Sequence, residues 1–500
     1  MSDAKPNVLM VVVDQWPGPL LGAAGHQVIQ TPTLDQIARN GVRYTNAYSE
    51  CPICIPARRT LMTGTTTRTH GDRVFGTVNR MPSLPTIAQC FRDGGYQAYA
   101  VGKLHVYPPR DRIGFDDVLL AEEGRPHLGA VDDYDQFLAD RGYAGKQFLH
   151  GMNNNNYMYR PWHLPEDCHV TNWATEQFCR VIKRRDPTRP AFWTLSYTPP
   201  HPPLVPLQCY LDMYRQFEIE PALVADWAGD LTKLPHPLKM IRNFYPSFPP
   251  EIVQEIRRAF YALCTHIDHQ LRVVLGTLRE EGLLDDTIIL VTADHGDMLG
   301  DFGLFAKRTY FERSANVPMI LMGAAGDLSD QRVGTDRVDH RLIGLQDIMP
   351  TLLELAGLSV PQSCDGQSML GDKVRPALYG DCLENAGATR MLHDGRHKLI
   401  WYPAGNSVQL FDLETDPEER VDRADDPDYQ ATRQEMQQQL ADRLYGADID
   451  QGWVTKDGEL VGFEPPPFDA KPDRSFSAQR GVHYPEPPEV AQEKSVGFPQ

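Results

Sequence analysis

Short apolar runs alternate with amphipathic segments through most of the chain. The run "NVLMVVVDQ" (7–15) is rich in valine and ends in a polar pair, which is typical of a buried parallel strand. The segment "TPTLDQIARNGVRYTNAY" (31–48) predicts a helix that begins at a proline and ends near Gly41, followed by a strand. The same order of helix, glycine and strand recurs in "LPTIAQCFRDGGYQAYAVGKLH" (84–105). These repeats predict an α/β fold.

Two further segments extend this alternation toward the middle of the chain. "RPAFWTLSYTPPHPP" (189–203) predicts a strand that runs into a proline-rich loop, and residues 256–297 predict a long helix, an apolar strand and a polar loop. We therefore expect a large, mainly parallel sheet flanked by helices, in an α/β domain over residues 1–375. Ligands of such sheets bind beyond the carboxyl ends of the strands. At those ends the sequence places Asp14, Gln15, Lys103, His105, His201, Asp294 and His295.

The pattern changes after about residue 375. Short alternating strands with the turn residues "AGN" (404–406), followed by the polar helix "ATRQEMQQQLADRLYG" (431–446), predict a smaller antiparallel α+β subdomain over residues 376–460. Residues 461–500 are rich in proline and charge and bury little. They are either a loose tail or an arm that lies on another subunit. The second alternative predicts a homodimer or homotetramer, which is the assembly we expect.

The chain of 500 residues is acidic, with a formal net charge of −18. No block of lysine and arginine offers a face that could follow a phosphate backbone, so we do not expect nucleic acid as a partner. The acidic charge does not exclude an anionic substrate. A metal ion and a few basic side chains gathered at one site dominate the distant, screened field of the rest of the protein.

Localisation is predicted from what the sequence lacks. It has no apolar run of about 18 residues or more, so we expect no membrane span. Its N-terminal segment has neither the basic start nor the small-residue cleavage site of a secretory signal, which predicts a cytoplasmic protein. The nine cysteines are scattered and odd in number, as expected of reduced thiols rather than a disulfide framework.

The segment "CPICIPARRTLMTG" (51–64) holds two cysteines, Cys51 and Cys54, for which three interpretations are open. A redox pair would need the small βαβ domain of thioredoxins around it, and no such pattern surrounds this segment. A zinc site would need a second pair of ligands at the usual spacing, and none follows. The third interpretation is that both cysteines are ordinary buried thiols.

Cys54 is distinguished from Cys51 by the residues that follow it. Pro56 suits the first turn of a helix, which would place residue 54 at the positive end of the helix dipole. Arg58 lies about one turn further on, where its side chain can turn back toward Cys54. This C-x-P-x-R pattern predicts a reactive position rather than a packed thiol.

The pattern resembles the signature of the sulfatase family of the alkaline phosphatase superfamily, which is C-x-P-S/A-R followed by a segment ending in T-G. Cys54 fits this signature, whereas Cys51 does not, because positions 53 and 55 are both isoleucine. In that family the cysteine is oxidised after translation to Cα-formylglycine. The resemblance implies that Cys54 is the catalytic residue and that Cys51 packs. It also implies that a formylglycine-generating or anaerobic maturation enzyme acts on this chain.

Other segments between residues 7 and 425 resemble the same family. Asp14 matches its first metal ligand, and "TADHGDMLGD" (292–301) matches its second metal segment. The resemblance implies that one divalent metal ion is held by Asp14, Gln15, Cys54, Asp294 and His295. It also implies catalytic roles for Cys54, Arg58, Lys103 and His105 in "GKLH", His201 in "PPHPP", and Lys307 in "GLFAKRTYFE".

The sequence departs from many sulfatases at both metal segments. It has Asp14 and Gln15 where many have two acidic residues, and Asp294 and His295 where many have Asp-Asn. In both respects it resembles bacterial phosphonate monoester hydrolases and choline-sulfatase-like members. Phosphonate monoester hydrolases tend to lack the lysine and histidine of the G-K-x-H segment, which this chain retains at residues 102–105. That retention favours sulfate esters.

The resemblance implies a mechanism in which a hydrated formylglycine at position 54 attacks the sulfur of a small sulfate ester. The metal ion and Arg58 would lower the pKa of the attacking hydroxyl, His201 would protonate the departing alcohol, and His105 would assist the release of sulfate as a base. Lys103 and Lys307 would stabilise negative charge on the transferring group. A histidine nitrogen among the ligands suits manganese better than calcium, although family members also use calcium.

Three alternatives to an arylsulfatase-type enzyme follow from the same residues. A phosphonate monoester or phosphodiester hydrolase would use the same site. A non-catalytic metal-binding scaffold would keep Cys54 as an unmodified thiol. A thiol-redox enzyme would lose its activity when Cys51 is replaced, whereas the sulfatase hypothesis predicts a mild effect of that replacement.

Overall fold

The computed structural model describes residues 5–124, 131–324 and 333–468, which form a large α/β unit followed by a small C-terminal sheet. Residues 469–500, which make up most of the tail predicted from the sequence, lie outside the described residues, and so does the assembly role predicted for them. None of the helices among the described residues is long and apolar enough to cross a lipid bilayer.

Eight of the described strands form one large sheet. They are β1 (Asn7–Asp14), β2 (Val42–Tyr48), β3 (Gln97–Gly102), β4 (Asp117–Leu120), β5 (Ala191–Pro200), β6 (Thr287–Ala293), β7 (Met319–Met322) and β8 (Arg337–Gly344). Across the sheet they lie in the order β4-β3-β5-β1-β6-β7-β2-β8. All pairings are parallel except those of β7, which runs antiparallel to β6 and to β2. The predicted class, a mainly parallel sheet flanked by helices, is confirmed.

The described helices connect these strands and flank the sheet. They are α1 (Pro32–Arg39), α2 (Cys54–Thr63), α3 (Thr67–His70), α4 (Ile87–Asp93), α5 (Asp133–Asp140), α6 (Val170–Lys183), α7 (Gln208–Tyr214), α8 (His236–Phe244), α9 (Pro250–Glu280), α10 (Glu312–Ala315), α11 (Ile348–Leu355), α12 (Gln430–Ala441) and α13 (Ala447–Asp450). The long helix α9 begins at Pro250, where the fixed φ of proline suits a first turn.

The central strand β1 is an apolar run that pairs in parallel with β5 on one side and with β6 on the other. All of its residues are buried, as expected of a parallel strand with both faces covered. Each buried valine or leucine stabilises the fold by about 1.5–3 kcal/mol relative to leaving it exposed. The register with β5 shifts between Val13 and Asp14, so the pairing becomes irregular where the polar side chains begin.

Helix α2 carries the residues of the C-x-P-x-R pattern. It begins at Cys54, as Pro56 predicted, and it ends before Gly64, whose left-handed φ of 64° terminates the helix. All ten residues of α2 are buried, including the charged Arg58 and Arg59. A helix buried on every side is held by tertiary packing, and each of its polar groups needs a partner inside the protein.

The C-terminal sheet contains β9 (Leu378–Cys382), β10 (Thr389–His393), β11 (His397–Tyr402) and β12 (Ser407–Asp412), all antiparallel. Gly405 and Asn406 both have positive φ, 91° and 47°, and form the tight turn that joins β11 to β12. Helix α12 packs on this sheet through Met436 and Leu440, which belong to one hydrophobic cluster with Trp401.

Buried ion pairs fasten this small sheet to the α/β unit. Asp448 in α13 accepts hydrogen bonds from Arg390 in β10 at 2.6 and 2.8 Å and from Arg73 at 3.0 and 3.2 Å. Nζ of Lys398 in β11 donates to Oε1 of Glu419 at 2.8 Å and to the backbone oxygen of Tyr310 at 2.9 Å. Because removing one partner of a buried pair typically costs about 3–5 kcal/mol, these contacts keep the two parts in a fixed relation.

Candidate active site

The structure brings four of the predicted metal ligands together at the carboxyl ends of β1 and β6. Asp14 ends β1, Asp294 and His295 directly follow β6, and Cys54 begins α2. All four side chains are buried, and their ligand atoms lie within 4.8 Å of one another. We call these four residues the ligand cluster. It forms because β1 and β6 are parallel neighbours, so residues about 280 positions apart share one edge of the sheet.

Within the ligand cluster, Sγ of Cys54 lies 3.1 Å from Nε2 of His295 and 3.9 Å from Oδ1 of Asp14. Nδ1 of His295 donates a hydrogen bond to the backbone oxygen of Gly296 at 3.0 Å. Because a carbonyl oxygen only accepts, this bond places a ring proton on Nδ1, so Nε2 is the ring atom that faces the cluster. His295 is thereby oriented as a ligand.

This donor set fits a divalent cation. It combines two carboxylates with the Nε2 nitrogen of a histidine that faces them, which are ligands of the kind that bind manganese and related ions. Burial and the nearby charge of Asp14 raise the pKa of the Asp294 carboxyl above its ordinary value. A bound cation would offset the repulsion between the two carboxylates.

The environment of Cys54 favours negative charge. Burial acts to raise the pKa of its thiol, but the positive charges of Lys103, Lys307 and His295 hold that pKa well below its ordinary value. A hydrogen bond with His105 acts in the same direction. An anion that enters this site therefore meets positive charge from several elements of the fold.

Arg58 turns back toward the cluster, as predicted. Its Nε donates to Oδ2 of Asp294 at 2.8 Å, and its Nη1 donates to the backbone oxygen of Lys103 at 2.7 Å. Nη2 lies 3.9 Å from Oδ2 of Asp14. The side chain is only 3% exposed, so its charge acts on both carboxylates with little screening by water.

Lys103 lies between two buried carboxylates just beyond the end of β3. Its Nζ contacts Oδ2 of Asp14 and lies 3.1 Å from Oε1 of Glu123. Burial acts to lower the pKa of the ammonium, but these carboxylates raise it above its ordinary value. Lys103 is therefore a fixed positive charge beside the cluster.

His201 and Lys307 face each other on the other side of Glu123. Nδ1 of His201 donates to the backbone oxygen of Pro202 at 2.8 Å and lies 3.2 Å from Oε1 of Glu123. This bond fixes the ring proton on Nδ1, since the carbonyl cannot donate. Nζ of Lys307 donates to Nε2 of His201 at 2.9 Å. Nε2 is thus the ring atom that can exchange a proton with a bound molecule.

Gln15 directly follows β1 and has a left-handed φ of 69°. Its Oε1 accepts a hydrogen bond from Nζ of Lys307 at 2.6 Å, and its Nε2 donates to the hydroxyl of Tyr157 at 2.9 Å and to the carboxylate of Asp297. These donors fix the orientation of the amide. A carbonyl oxygen has a second lone pair, so the assignment of Gln15 as a metal ligand stays a prediction.

His105 is buried beside the cluster and has a left-handed φ of 59°. Its backbone nitrogen donates to Oε1 of Glu122 at 2.9 Å. Its ring meets the ring of Phe75 edge to face, with centroids 5.6 Å apart. With His105, every side chain that the sequence assigned to the site lies around the same cluster.

The sequence did not single out the residues that support this ring of side chains. Glu122 and Glu123 come shortly after β4, and the end of that apolar run was a usable signal for them. Ser196 accepts a bond from Arg58 at 2.9 Å from within β5, and its position carried no such signal. Tyr157, whose hydroxyl donates to Asp297 at 2.5 Å, lies in a loop without a recognisable pattern.

In its fold the chain is similar to the crystal structure of a phosphonate monoester hydrolase of Agrobacterium radiobacter. The TM-score is 0.74 and the identity 24%, and the match covers 88% of this chain and 95% of that one. At this identity the likeness shows the fold alone. The protein is an α/β protein of the alkaline phosphatase type.

Comparison of sequences places the chain within that class. The family model for sulfatases matches residues 6–358, and the model for the C-terminal part of N-sulphoglucosamine sulphohydrolase matches residues 300–445. An arylsulfatase of Clostridium perfringens is 31% identical over 480 residues, with 92% of this chain and 98% of the relative covered. A choline-sulfatase of Rhizobium meliloti is 29% identical over 452 residues, with 85% and 84% covered. The chain belongs to the sulfatase family, as the motifs predicted.

Proposed function

We propose that the protein hydrolyses sulfate monoesters as an arylsulfatase-type enzyme. The observation that carries the proposal is the surroundings of Cys54, where a buried ligand cluster is ringed by Lys103, Lys307 and His201. A sulfate ester is an anion that repels nucleophiles, so its hydrolysis needs positive charge gathered around the reacting group. The names of two relatives, an arylsulfatase and a choline-sulfatase, support the same class of reaction.

Two groups besides the unmodified side chains belong to this proposal. We propose that one divalent cation is held by Asp14, Gln15, Asp294, His295 and position 54, and that Cys54 is converted to Cα-formylglycine. When bound, the cation supplies Lewis acidity toward the ester oxygens, and formylglycine supplies the nucleophilic oxygen. Charge stabilisation and proton transfer are carried out by the side chains of the protein.

Arg58 and Lys103 prepare the site before substrate enters. Arg58 donates to the carboxylate of Asp294 at 2.8 Å and keeps a fixed positive charge beside the ligand cluster. Lys103, in contact with Asp14, faces the reacting position with its charge. When the sulfuryl group is transferred, these fixed charges stabilise the negative charge that develops on it, without reorganisation.

His201 protonates the departing alcohol through Nε2. The bond from Nδ1 to the backbone oxygen of Pro202 holds the ring, and Oε1 of Glu123 lies 3.2 Å from Nδ1. In the structure, Nζ of Lys307 donates a hydrogen bond to Nε2 of His201 at 2.9 Å. We propose that an entering anion draws the ammonium of Lys307 onto itself, which frees Nε2 to take up a proton from solvent and then pass that proton to the leaving oxygen.

His105 acts at the second stage. Its hydrogen bond with residue 54 places a base next to the reacting position. In the proposal His105 accepts the proton that residue 54 gives up when sulfate leaves. Its backbone bond to Glu122 keeps the strained residue in place for that transfer.

We further propose manganese as the native ion, with calcium as the alternative. The nitrogen of His295 supports this choice, because calcium prefers sites built entirely of oxygen ligands. Protein stripped with a chelator and titrated with each ion tests the choice. The native ion restores turnover at the lower concentration, and restoration by calcium alone would contradict the manganese assignment.

A panel of three substrates tests the reaction itself. The matured enzyme should hydrolyse an aryl sulfate with a higher kcat/KM than an aryl phosphonate monoester or a phosphodiester. A preference for the phosphonate or the diester by several orders of magnitude would instead establish the second candidate, a phosphonate monoester or phosphodiester hydrolase. That candidate is favoured by the residue pairs Asp14-Gln15 and Asp294-His295.

The mass of the peptide that contains residue 54 tests the modification, since an aldehyde is lighter than a thiol. An unmodified peptide from protein produced with its maturation enzyme, together with no turnover, would favour the scaffold hypothesis. We also propose that this maturation enzyme is the chain's partner in the cell and that the protein works in the cytoplasm. The nine cysteines, all among the described residues, are free thiols, which is consistent with a reducing compartment.

We propose that the assembled protein is a homodimer or homotetramer. The proline-rich composition of residues 461–500 supports this proposal, because such a segment buries little by itself and can lie on another subunit. Light scattering on the full chain and on a chain that ends at residue 468 tests it. A monomeric full chain would refute the proposal.

A further inference from the structure

A small pocket opens directly beside the active site. It is lined by Asn155, Tyr245, Ala306, Lys307 and Arg308. Lys307 belongs to the pocket and to the active site at once, because its Nζ bonds Nε2 of His201 and Oε1 of Gln15. An ester whose reacting group meets Lys307 would therefore have this pocket beside it.

Hydrogen bonds from two sides fix the backbone of the pocket wall. The backbone nitrogen of Arg308 donates to the oxygen of Pro52 at 3.1 Å, two residues before Cys54. The backbone nitrogen of Ala306 donates to Oδ1 of Asp297 at 3.0 Å. Ala306 and Arg308 have left-handed φ values of 61° and 79°, which side-chain-bearing residues rarely adopt. Such strained residues, held by their surroundings, occur preferentially at binding sites.

Arg308 brings a second basic side chain to the pocket beside Lys307. Burial lowers the pKa of this half-buried side chain, and among the groups that act to raise it are Tyr245 and Cys54. Conversely, the charge of Arg308 acts to lower the pKa of the buried Tyr245 phenol. Arg308 therefore adds a second cation next to Lys307, in a place where its charge is weakly screened.

A simple sulfate monoester has one negative charge, and Lys103, Lys307 and His201 already meet it in the proposed mechanism. A neutral organic group placed beside Arg308 would only remove more water from the guanidinium, which is unfavourable. A carboxylate or a second sulfate there would form charge-assisted, paired hydrogen bonds with it. A cationic group such as a quaternary ammonium would be repelled.

We propose that Arg308 recognises a second anionic group on the substrate, so that the enzyme acts on sulfate esters that carry a carboxylate or another sulfate near the scissile bond. This inference rests on the proposed function and narrows its substrate class. The ring of Tyr245, which meets Tyr157 edge to face at 5.4 Å, offers an apolar wall for the carbon skeleton between the two anions.

A matched pair of substrates tests the inference. In 3-carboxyphenyl sulfate and 3-carbamoylphenyl sulfate the group near Arg308 has the same shape but differs in charge. Wild-type enzyme should prefer the carboxylate by roughly 10- to 100-fold in kcat/KM, as expected of a charge-assisted hydrogen bond. Arg308→Gln should remove most of this preference, whereas Arg308→Lys should keep part of it. The bis-sulfate 1,3-phenylene disulfate, compared with 3-methoxyphenyl sulfate, shows whether sulfate is accepted as the second anion.

The control is Arg180→Gln, which neutralises an exposed arginine on α6, far along the chain and paired with Glu176. It should leave the preference unchanged. Equal kcat/KM for the matched pair in wild-type enzyme, or a preference that survives Arg308→Gln, would overturn the inference. Calorimetric binding of the same pair to Cys54→Ala, with and without Arg308→Gln, separates this result from the proposed function. The difference in binding affinity between the two matched compounds then measures the effect of Arg308 even if the enzyme hydrolyses no sulfate ester.

Discussion

The variant Arg58→Gln should strongly destabilise the protein only when the metal site is empty. The guanidinium lies 2.8 Å from Oδ2 of Asp294 and 3.9 Å from Oδ2 of Asp14, and the side chain is 3% exposed. Unit charges about 4 Å apart interact by about 4 kcal/mol at an effective dielectric constant of about 20. Removing one partner of a buried pair costs about 3–5 kcal/mol in measured cases. We expect the free energy of unfolding to fall by about that amount in protein treated with a chelator.

A bound divalent cation should shrink this loss to less than about 2 kcal/mol. The cation neutralises the charge of the Asp14 and Asp294 carboxylates and at the same time repels the guanidinium of Arg58. Arg58 therefore contributes less to the free energy of unfolding when the cation is bound. By linkage, the variant must then bind the cation more tightly than the wild type does. A difference of about 2 kcal/mol corresponds to roughly 30-fold in the dissociation constant.

Thermal unfolding in chelator and in saturating manganese, for wild type and variant, measures both quantities. The matched control is Arg59→Gln on the same helix. Arg59 is 6% exposed, and its Nη1 pairs with Oδ2 of Asp72 at 3.0 Å, away from the ligand cluster. Its loss should not depend on the cation. If Arg58→Gln also loses the same stability with and without the cation, Arg58 does not share the field of the cluster and the reasoning fails.

Three other experiments examine single side chains. His201→Ala should slow esters of poor leaving groups by about 100-fold or more, and good ones much less, because only poor leaving groups need a proton; kcat/KM against leaving-group pKa checks this. Cys54→Ala should abolish aryl sulfate turnover while Cys51→Ala keeps most of it, and loss in both would revive the redox hypothesis. Burial lowers the pKa of His169 and His393 to about 4, from an ordinary value of 6.5. The unfolded chain therefore takes up these protons first, so the contribution of each histidine to stability should fall by about 2 kcal/mol as the pH drops from about 7 to about 5. Glu50 and Glu419, whose pKa burial raises to about 7, act in the opposite direction, so the test compares wild type with His169→Gln and His393→Gln. A stability difference from these variants in urea unfolding that does not change with pH would contradict the argument.

The large sheet could be predicted because its central strands have a clear sequence pattern. β1 and β6 are apolar runs that end in polar residues, and α9 between β5 and β6 follows the helical period over many turns. The direction of β7 could not be predicted. Its four residues, "MILM", are apolar throughout, and such a short run does not indicate which way the strand points. The chain length available to reach the neighbouring edge decides that.

The site could be predicted as far as its motifs extend. Asp14, Cys54 and Asp294 each follow a recognisable local pattern, so a single sequence sufficed to place them together. Glu123 shows where that reasoning ends. It contributes by lying 3.1 Å from Lys103 and 3.2 Å from His201, which stand at the ends of different strands. That contact depends on the lateral order of β4, β3 and β5, and local periodicity does not reveal such an order.

The burial of α2 limits the time during which Cys54 can be reached in a newly synthesised chain. Cys54 is 1% exposed in the folded protein, so under the proposed conversion to formylglycine a maturation enzyme would reach the sulfur only before the chain has folded. Oxidation of Cys54 would then compete in time with folding of the chain. Under the same proposal, a molecule that folds before it is modified keeps its thiol and stays inactive, and the active fraction of a preparation would report how much of the protein was modified before folding.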